Sequence, residues 1–300
     1  ELICFSFLQL GKRQYFRCLN QWIRELVKSY LVPPNIDLKT LATEVRGFNE
    51  LGEKVSANVI LEKPITVFLN DLEIITSMTI GDYPELLALG FLFNQRIIKQ
   101  RKEVRSVEFE KDLGVVVVRT YEDTNHEINS RKRIRTSGCA VGTVFEDLMD
   151  EVDQLKLETK TLPVSLLYSL SKKINTTPSL YLETGAIHGT VLCDFRGPMV
   201  YMEDVGRHNA VDKVAGWMLD NKVIGSDKIL YTTGRLTSEM VIKTAVMGIP
   251  ILLSRSGFTA WGVEIAESVG LTMVGRLRGH RFLCLTGAEN IIFDKTKKVD

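Results

Sequence analysis

The second half of the chain alternates short apolar stretches with longer amphipathic ones, and this alternation limits the possible folds more than any other feature. Strand-like runs such as KILYTT, IPILLS and LTMVGRL are separated by the helix-like stretches TSEMVIKTAVMG and TAWGVEIAESVG. Apolar runs of about six residues between amphipathic stretches of about twelve are typical of βαβ units, and such units build a parallel sheet covered by helices. We therefore predict an α/β fold for residues 159–300, an αβα domain with a mostly parallel sheet.

The first half of the chain has a different pattern. KVSANVILEKPITVFLNDLEIIT alternates apolar and polar residues around an Asn70-Asp71 turn, and EVRSVEFEKDLGVVVVRTY predicts a hairpin that turns at Asp112–Gly114. DYPELLALGFLFNQ, between them, predicts a helix capped by Asp82. We predict a smaller α+β domain over residues 45–158. Helix spacing, interrupted at VPPN, predicts a helical extension over residues 1–44.

Composition argues against several classes of function. The net charge is +1, so no overall field favours nucleic acid or an anionic membrane, and any basic site must be local. No apolar run approaches the roughly 20 residues that a membrane span needs, and LICFSFL lacks the basic flank of a signal peptide. The cysteines follow no disulfide or metal spacing, which favours a reducing, cytoplasmic location. They are Cys4, Cys18, Cys139, Cys193 and Cys284.

Four loops in the second half pair glycine with arginine, and three of them directly follow strands that we expect to be parallel. Ligands of open α/β sheets bind at the carboxyl ends of parallel strands. Glycine lets the backbone approach a ligand, and the forked donors of arginine suit phosphate. We predict a pocket for a polyanion at this rim, and neither a P-loop nor a G-x-G-x-x-G pattern points to ATP or NAD. The loops contain Gly206-Arg207-His208, Gly234-Arg235, Ser254–Gly257 and Gly275–Arg281.

Cys139 is the candidate reactive residue. It lies in RIRTSGCAVGTVFEDL, just after the basic stretch Arg131–Arg135, and nearby positive charge favours a thiolate. Thr143 and Glu146 match a capping box, which predicts that a helix starts near Val144. The alternative is a small apolar residue buried in a turn, and the local context leaves both interpretations open. The apolar patterns around the other cysteines predict packing roles.

A family resemblance is carried by the stretches TSGCAVG, TGAIH, EDVGRHNAVDKV, EKPITVFLN and the long segment from TGRLTSEM to RGHRF. They resemble the FdhD family of formate dehydrogenase accessory sulfur carriers. The similarity runs from about Arg46 nearly to the C-terminus and is most specific between Glu203 and Phe282. Residues 1–44 lie outside it. The resemblance implies a cytidine-deaminase-like fold for the second domain.

The resemblance also implies a function. FdhD proteins accept sulfur as a cysteine persulfide from a cysteine desulfurase. They deliver it to the molybdenum cofactor, a bis(molybdopterin guanine dinucleotide), before the cofactor is inserted into formate dehydrogenase. Cys139 matches the persulfide cysteine of the family, and a homodimer is implied. The family's cofactor-binding loop matches Arg276, Leu277, Arg278, Gly279, His280 and Arg281, and the strand-end reasoning adds Arg235.

The cysteine loop departs from the family pattern in one place. The family usually has C-x-x-C-G, whereas this chain has Cys139-Ala140-Val141-Gly142. One cysteine suffices to carry a persulfide, but it cannot relay sulfur to a close neighbour. Two functions therefore stay open: a sulfur carrier, and a cofactor-binding chaperone that moves no sulfur.

The implied fold raises a nucleoside deaminase as a third function. Zinc deaminases need an H-x-E … P-C-x-x-C set. His188 is followed by Gly189 and Thr190, and the sequence contains no C-x-x-C. We therefore expect no zinc and no deaminase activity. His188 itself is either a pocket residue or a hydrogen-bonded structural histidine.

Overall fold

The computed structural model describes residues 30–122, 133–134, 143–144, 152 and 154–294. Its helices are α1 (Leu38–Leu41), α2 (Pro84–Asn94), α3 (Val164–Thr176), α4 (Leu180–Thr184), α5 (Arg207–Asp220), α6 (Ser238–Val246) and α7 (Ala260–Val269). The strands of the first half are β1 (Ala42–Phe48), β2 (Lys54–Ile60), β3 (Lys63–Leu69), β4 (Leu72–Thr79), β5 (Val104–Glu110), β6 (Val115–Thr120), β7 (Arg133–Ile134) and β8 (Thr143–Val144). Those of the second half are β9 (Leu162–Pro163), β10 (His188–Asp194), β11 (Gly197–Asp204), β12 (Ile229–Thr232), β13 (Ile251–Ser254), β14 (Thr272–Arg278), β15 (Arg281–Thr286) and β16 (Ile291–Ile292).

The second half is built on a six-stranded sheet with the order β11-β10-β12-β13-β14-β15. Only β12, β13 and β14 are mutually parallel, and the remaining pairings are antiparallel. The prediction of a mostly parallel sheet is therefore wrong, and the sheet is mixed. Two of the three antiparallel pairings follow from the short connections at Phe195-Arg196 and Gly279-His280, because tight turns join antiparallel strands whereas parallel strands need a long crossover. The third pairs β10 with β12, which lies beyond α5 in the chain.

Helices cover both faces of this sheet. On one face, Val191 and Cys193 of β10 pack in a buried cluster with Leu167 and Ile174 of α3. On the other face, Leu192 packs in a cluster with buried residues of α5, α6 and α7. Successive side chains of a strand point to opposite faces, so the apolar run in β10 supplies both cores. The layers are therefore helix, sheet and helix.

The first half forms a separate four-stranded sheet with the order β4-β3-β6-β5. The apolar face of this sheet packs against α2, and the two form a hydrophobic core. Both predicted turns, at Asn70-Asp71 and at Asp112–Gly114, are confirmed. Helix α2 also packs closely on α5. A Cβ atom built on Gly90 of α2 would lie 1.7 Å from the carbonyl oxygen of Asp212, so only glycine fits this crossing.

Asp82 does not cap α2, contrary to the prediction. The helix begins at Pro84, and its N-cap residue Tyr83 makes no side-chain capping bond. The Asp82 carboxylate lies 2.6 Å from the ammonium nitrogen of Lys213, which is fully buried and also contacts Asp204 at 2.5 Å. A buried ammonium needs carboxylate partners, and this tertiary requirement outweighs a local cap.

The described part of the predicted N-terminal helix is mostly extended. The backbone amides of Leu31 and Val32 donate to the Met199 carbonyl, and the Tyr201 amide donates to the Val32 carbonyl, which places this segment beside β11. Pro33-Pro34 disfavours helix here, and the open edge of β11 supplies backbone partners instead. Among the described residues before β1, only the single turn α1 is helical, and the predicted boundary at residue 44 falls inside β1.

The segment around the candidate cysteine differs from the prediction where it is described. Thr143–Val144 pairs antiparallel with Arg133–Ile134, so no helix starts at Val144. Both Thr and Val are β-branched and favour strands. Cys139 lies outside the described residues. Within the described ranges, no helix has the length and apolarity to cross a membrane.

Candidate functional site

All four glycine-arginine loops lie at one edge of the large sheet. Strand β11 is antiparallel to β10, and β10 is antiparallel to β12, so β11, β12, β13 and β14 run in the same direction. The loops that follow these strands share the carboxyl edge, where ligands of α/β sheets bind. We name the arginines of these loops the arginine rim: Arg207, Arg235, Arg255, Arg276, Arg278 and Arg281.

Backbone hydrogen bonds join the loops beyond the ends of the strands. The Leu236 amide donates to the Gly257 carbonyl at 2.9 Å, and the Thr259 amide donates to the Leu236 carbonyl at 3.0 Å. The Arg276 amide donates to the Ser256 carbonyl at 2.7 Å. The loops of the rim thus continue the hydrogen bonding of the sheet, which fixes the relative positions of their backbones.

Close packing between Gly234 and Arg207 also holds two of these loops together. A Cβ atom on Gly234 would lie 2.9 Å from both Cβ and Cδ of Arg207. The loop after β12 therefore passes directly beneath the Arg207 side chain, which a larger residue than glycine would displace. This contact joins the loop after β11 to the loop after β12.

Apart from Arg207, the arginines of the rim carry positive charge that no carboxylate of the described residues neutralises. Among the described residues, no aspartate or glutamate lies within ion-pair distance of Arg235, Arg255, Arg276, Arg278 or Arg281. Clustered charge of one sign at the mouth of a cleft attracts ligands of the opposite sign. Arg255 is half-buried and the other four are exposed.

The predicted cofactor-binding loop spans the turn between β14 and β15, and its side chains separate into two groups. Leu277 is 1% exposed and packs in the core beneath α3. Arg276, with φ of 52°, and Arg278 flank it and are exposed, as are Gly279, His280 and Arg281. Leu277 anchors the end of the strand, and the side chains that reach solvent are those of its neighbours. Because its side chain is buried, Leu277 can contact a ligand at the rim only through its backbone.

Two histidines lie beneath the rim, and a lowered pKa keeps the imidazole of each uncharged at neutral pH. Burial lowers the pKa of His188, as do the nearby Arg207 and Arg235, and its Nδ1 lies 3.2 Å from the Thr233 hydroxyl. Burial and the charge of Lys243 lower the pKa of His208 to about 2. The neutral imidazoles add hydrogen-bonding groups but no charge.

The contacts of His208 identify Glu239 as a residue of the site that the sequence did not indicate. Its Nε2 lies 3.1 Å from a carboxylate oxygen of Glu239 on α6. His208 Nδ1 and the other Glu239 carboxylate oxygen are buried without a hydrogen-bond partner among the described residues. Orphan polar atoms in a native protein usually mark a site for water or a ligand. No sequence motif pairs these two residues, because they come together only when α5 and α6 pack on the sheet.

The two described cysteines have packing roles, as predicted. Cys193 is completely buried, and burial raises its pKa far above neutrality. Burial and the charge of Glu289 raise the pKa of Cys284 to about 11. Both thiols are protonated at neutral pH, and a thiol is a poor nucleophile compared with a thiolate. Neither is suited to accept sulfur.

No group of three or more His, Cys, Asp or Glu residues is placed to hold a metal ion within the described ranges. The strand that begins at His188 continues directly into Gly189 and Thr190. The chemistry available at the edge is therefore that of cationic and neutral hydrogen-bond donors around a rigid loop cluster.

The fold and the rim define an α/β protein with a mixed sheet and a basic carboxyl edge. The chain belongs to the FdhD/NarQ family, whose model matches residues 60–292. It is 31% identical over 247 residues to the sulfur carrier protein FdhD of Bacillus subtilis strain 168, with 81% of this chain and 94% of the relative covered. It is 30% identical over 245 residues to the FdhD of Listeria monocytogenes serovar 1/2a, with 80% and 93% covered.

A solved structure agrees with the family. The fold matches a formate dehydrogenase accessory protein from Desulfotalea psychrophila with a TM-score of 0.69 and 30% identity. The match covers 84% of this chain and 100% of that chain. The family resemblance seen in the sequence is thus confirmed, and so is the α/β class of the fold.

Proposed function

We propose that the protein is a sulfurtransferase that serves formate dehydrogenase. It accepts persulfide sulfur from a cysteine desulfurase on Cys139 and delivers it to the molybdenum cofactor, a bis(molybdopterin guanine dinucleotide), before the cofactor enters the dehydrogenase. The names of the relatives, sulfur carrier protein and formate dehydrogenase accessory protein, support this role. The observation that carries the proposal lies at the edge where α/β sheets bind ligands. The rim residues Arg235, Arg276, Arg278 and Arg281 are exposed there and have no carboxylate partner among the described residues.

The rim suits the substrate that we propose. A bis(molybdopterin guanine dinucleotide) carries two pyrophosphate groups, and arginine binds phosphate through charge-assisted, often bidentate hydrogen bonds. Arg276, Arg278 and Arg281 supply such donors at the end of β14, and Arg235 supplies them at the end of β12. Because the loops are joined by backbone bonds, the backbone that carries these donors is ordered before the ligand arrives, which reduces the entropic cost of binding.

Cys139 is the proposed sulfur carrier. In the loading step its thiolate attacks the terminal sulfur of the donor's persulfide. A new S–S bond forms on Cys139, and the donor cysteine leaves as a thiolate. The basic residues before Cys139 favour the required ionised form. The two cysteines in the described core are protonated and buried or half-buried, so they do not compete.

A cofactor-binding chaperone that moves no sulfur is the second candidate. The observation that favours it is the absence of the second family cysteine, since Gly142 stands where C-x-x-C-G has that cysteine. This candidate uses the same rim but not Cys139. Either candidate is proposed as a cytoplasmic homodimer whose second domain is cytidine-deaminase-like, in keeping with the family.

Intact-mass measurement separates the two candidates. The purified protein is incubated with a cysteine desulfurase and cysteine, and then its mass is determined without reduction. A sulfur carrier gains one sulfur atom, whereas a Cys139→Ala variant gains none. An unchanged mass in the wild type, with normal loading of a known acceptor in the same reaction, would favour the chaperone.

A further inference from the structure

Arg255 differs from the other members of the arginine rim because its guanidinium group is held from two sides. We propose that Arg255 is a further phosphate-binding residue of the rim and that Tyr181 is the positioning residue that holds it there. The inference rests on the proposed function, in which the rim binds the pyrophosphate groups of a nucleotide-containing substrate.

The contacts of Arg255 come from two different helices. Its guanidinium carbon lies 5.3 Å from the centre of the Tyr181 ring on α4. Its Nη1 donates to the side-chain oxygen of Asn175 at 3.3 Å, and that oxygen also accepts from the Tyr231 hydroxyl at 3.2 Å. The amide nitrogen of Asn175 donates to the Ser171 carbonyl at 2.7 Å. Stacking and hydrogen bonding together restrict the rotation of the guanidinium group.

The remaining donors of Arg255 have no acceptor among the described residues. Arginine has five N–H donors, and within the described ranges only the bond to Asn175 is made. A half-buried cation without a carboxylate partner retains a desolvation cost that an anionic ligand can offset. An oxygen-rich anion such as phosphate matches the planar fork of donors that stays available.

Helix α4, which carries Tyr181, is clamped at its N-terminus by a buried carboxylate. The two oxygens of Glu203 accept hydrogen bonds from the backbone amides of Leu180, at 3.0 Å, and Tyr181, at 2.8 Å. Glu203 is 3% exposed. A helix of five residues has little stability of its own, so the position of the Tyr181 ring depends on this clamp. The chain of contacts runs from Glu203 through Tyr181 to Arg255.

Titration calorimetry with GDP and with inorganic pyrophosphate tests the inference on the full-length protein. Arg255→Ala should weaken binding of both probes roughly ten- to 150-fold, the cost of losing a hydrogen bond to a charged group. Tyr181→Leu should weaken it roughly two- to fivefold, the value of a cation–π contact at a partly exposed site. Tyr181→Phe keeps the ring and should retain wild-type affinity. Arg105→Ala, which removes an exposed arginine of β5, is the matched charge control.

The double variant separates positioning from a general effect on folding. If Tyr181 acts through Arg255, then Tyr181→Leu should cost nothing further in an Arg255→Ala background. An equal loss of affinity in both backgrounds would overturn the positioning role, and thermal unfolding of each variant verifies that the fold is intact. Wild-type binding that Arg278→Ala weakens and Arg255→Ala does not would overturn this inference alone. A wild type that binds neither GDP nor pyrophosphate would overturn the proposed anion site itself.

Discussion

Arg278 and Arg281 face each other across the two-residue turn between β14 and β15. Tyr168 holds the turn in place. Its hydroxyl donates to the His280 carbonyl at 2.9 Å, and its ring meets the His280 ring edge to face with 4.8 Å between the ring centres. Both arginines are exposed and have no ion-pair partner among the described residues. They are therefore free to meet a ligand while the backbone that carries them stays fixed.

We expect Arg278→Ala or Arg281→Ala to weaken the binding of GDP, half of the proposed cofactor's nucleotide, by at least about tenfold. A hydrogen bond to a charged group contributes about 1.5–3 kcal/mol, which corresponds to roughly ten- to 150-fold in affinity. The free energy of unfolding should change by less than about 0.5 kcal/mol, since each side chain lies on the surface away from the core.

Calorimetric titration of the wild type, the two variants and the Arg105→Ala control measures the effect. Binding by the wild type should weaken with salt, and by less in each rim variant, because phosphate contacts are screened by ions. Sulfur loading should be unchanged in the rim variants, since donor docking and cofactor binding are separate steps. Unchanged GDP affinity in both variants, with measurable wild-type binding, would refute the reasoning. The phosphate site would then be sought at Gly234-Arg235 or at Gly206-Arg207-His208.

Three further outcomes are expected. Peptide mapping after sulfur loading should find the added sulfur only on the Cys139 peptide, and loading of Cys193 or Cys284 would contradict the assignment. Burial raises the pKa of Glu203 from 4.5 to about 7, in part offset by the two α4 amides and Lys213 and increased by Asp82. Because the pKa is raised, the folded protein holds the Glu203 proton more tightly than the unfolded chain does. The stability that this proton contributes is complete below pH 4.5 and is lost as pH rises through about 7. Urea unfolding should therefore show the wild type losing up to about 3 kcal/mol relative to Glu203→Gln between pH 5 and 8, and parallel pH profiles would argue against it. Gly90→Ala should lower the free energy of unfolding by about 1–3 kcal/mol, as measured by the same method, and an unaltered stability would mean that the α2–α5 crossing adjusts freely.

The sequence alone determined the elements that depend on local periodicity. The strands β12, β13 and β14 and the helices between them follow directly from the alternation of apolar and amphipathic stretches. Three of the four glycine-arginine loops were predicted to share an edge, because a parallel βαβ arrangement sends successive strand ends to one edge. The fourth, Gly206-Arg207-His208, joins them through the strand order β11-β10-β12. The turns at Asn70-Asp71 and Asp112–Gly114 were also predictable, since turn chemistry depends on adjacent residues.

Pairing with distant residues decided the rest. The antiparallel pairing of β10 with β12, which lies beyond α5 in the chain, makes the sheet mixed, and Asp82 pairs with the buried Lys213 instead of capping α2. Thr143–Val144 pairs with Arg133–Ile134 in spite of its capping-box pattern, because that pattern depends on residues within one helical turn and does not record a strand partner.

The arrangement of Glu203, Tyr181 and Arg255 has no signature in the sequence. The three residues lie on β11, α4 and the loop after β13, and packing of these elements on the sheet brings them together. Periodicity in the sequence shows which face of an element is buried. It does not show the partner of each buried polar group, which is needed because an unpaired charge is costly in the low dielectric of the interior. That cost is set only when the tertiary structure forms.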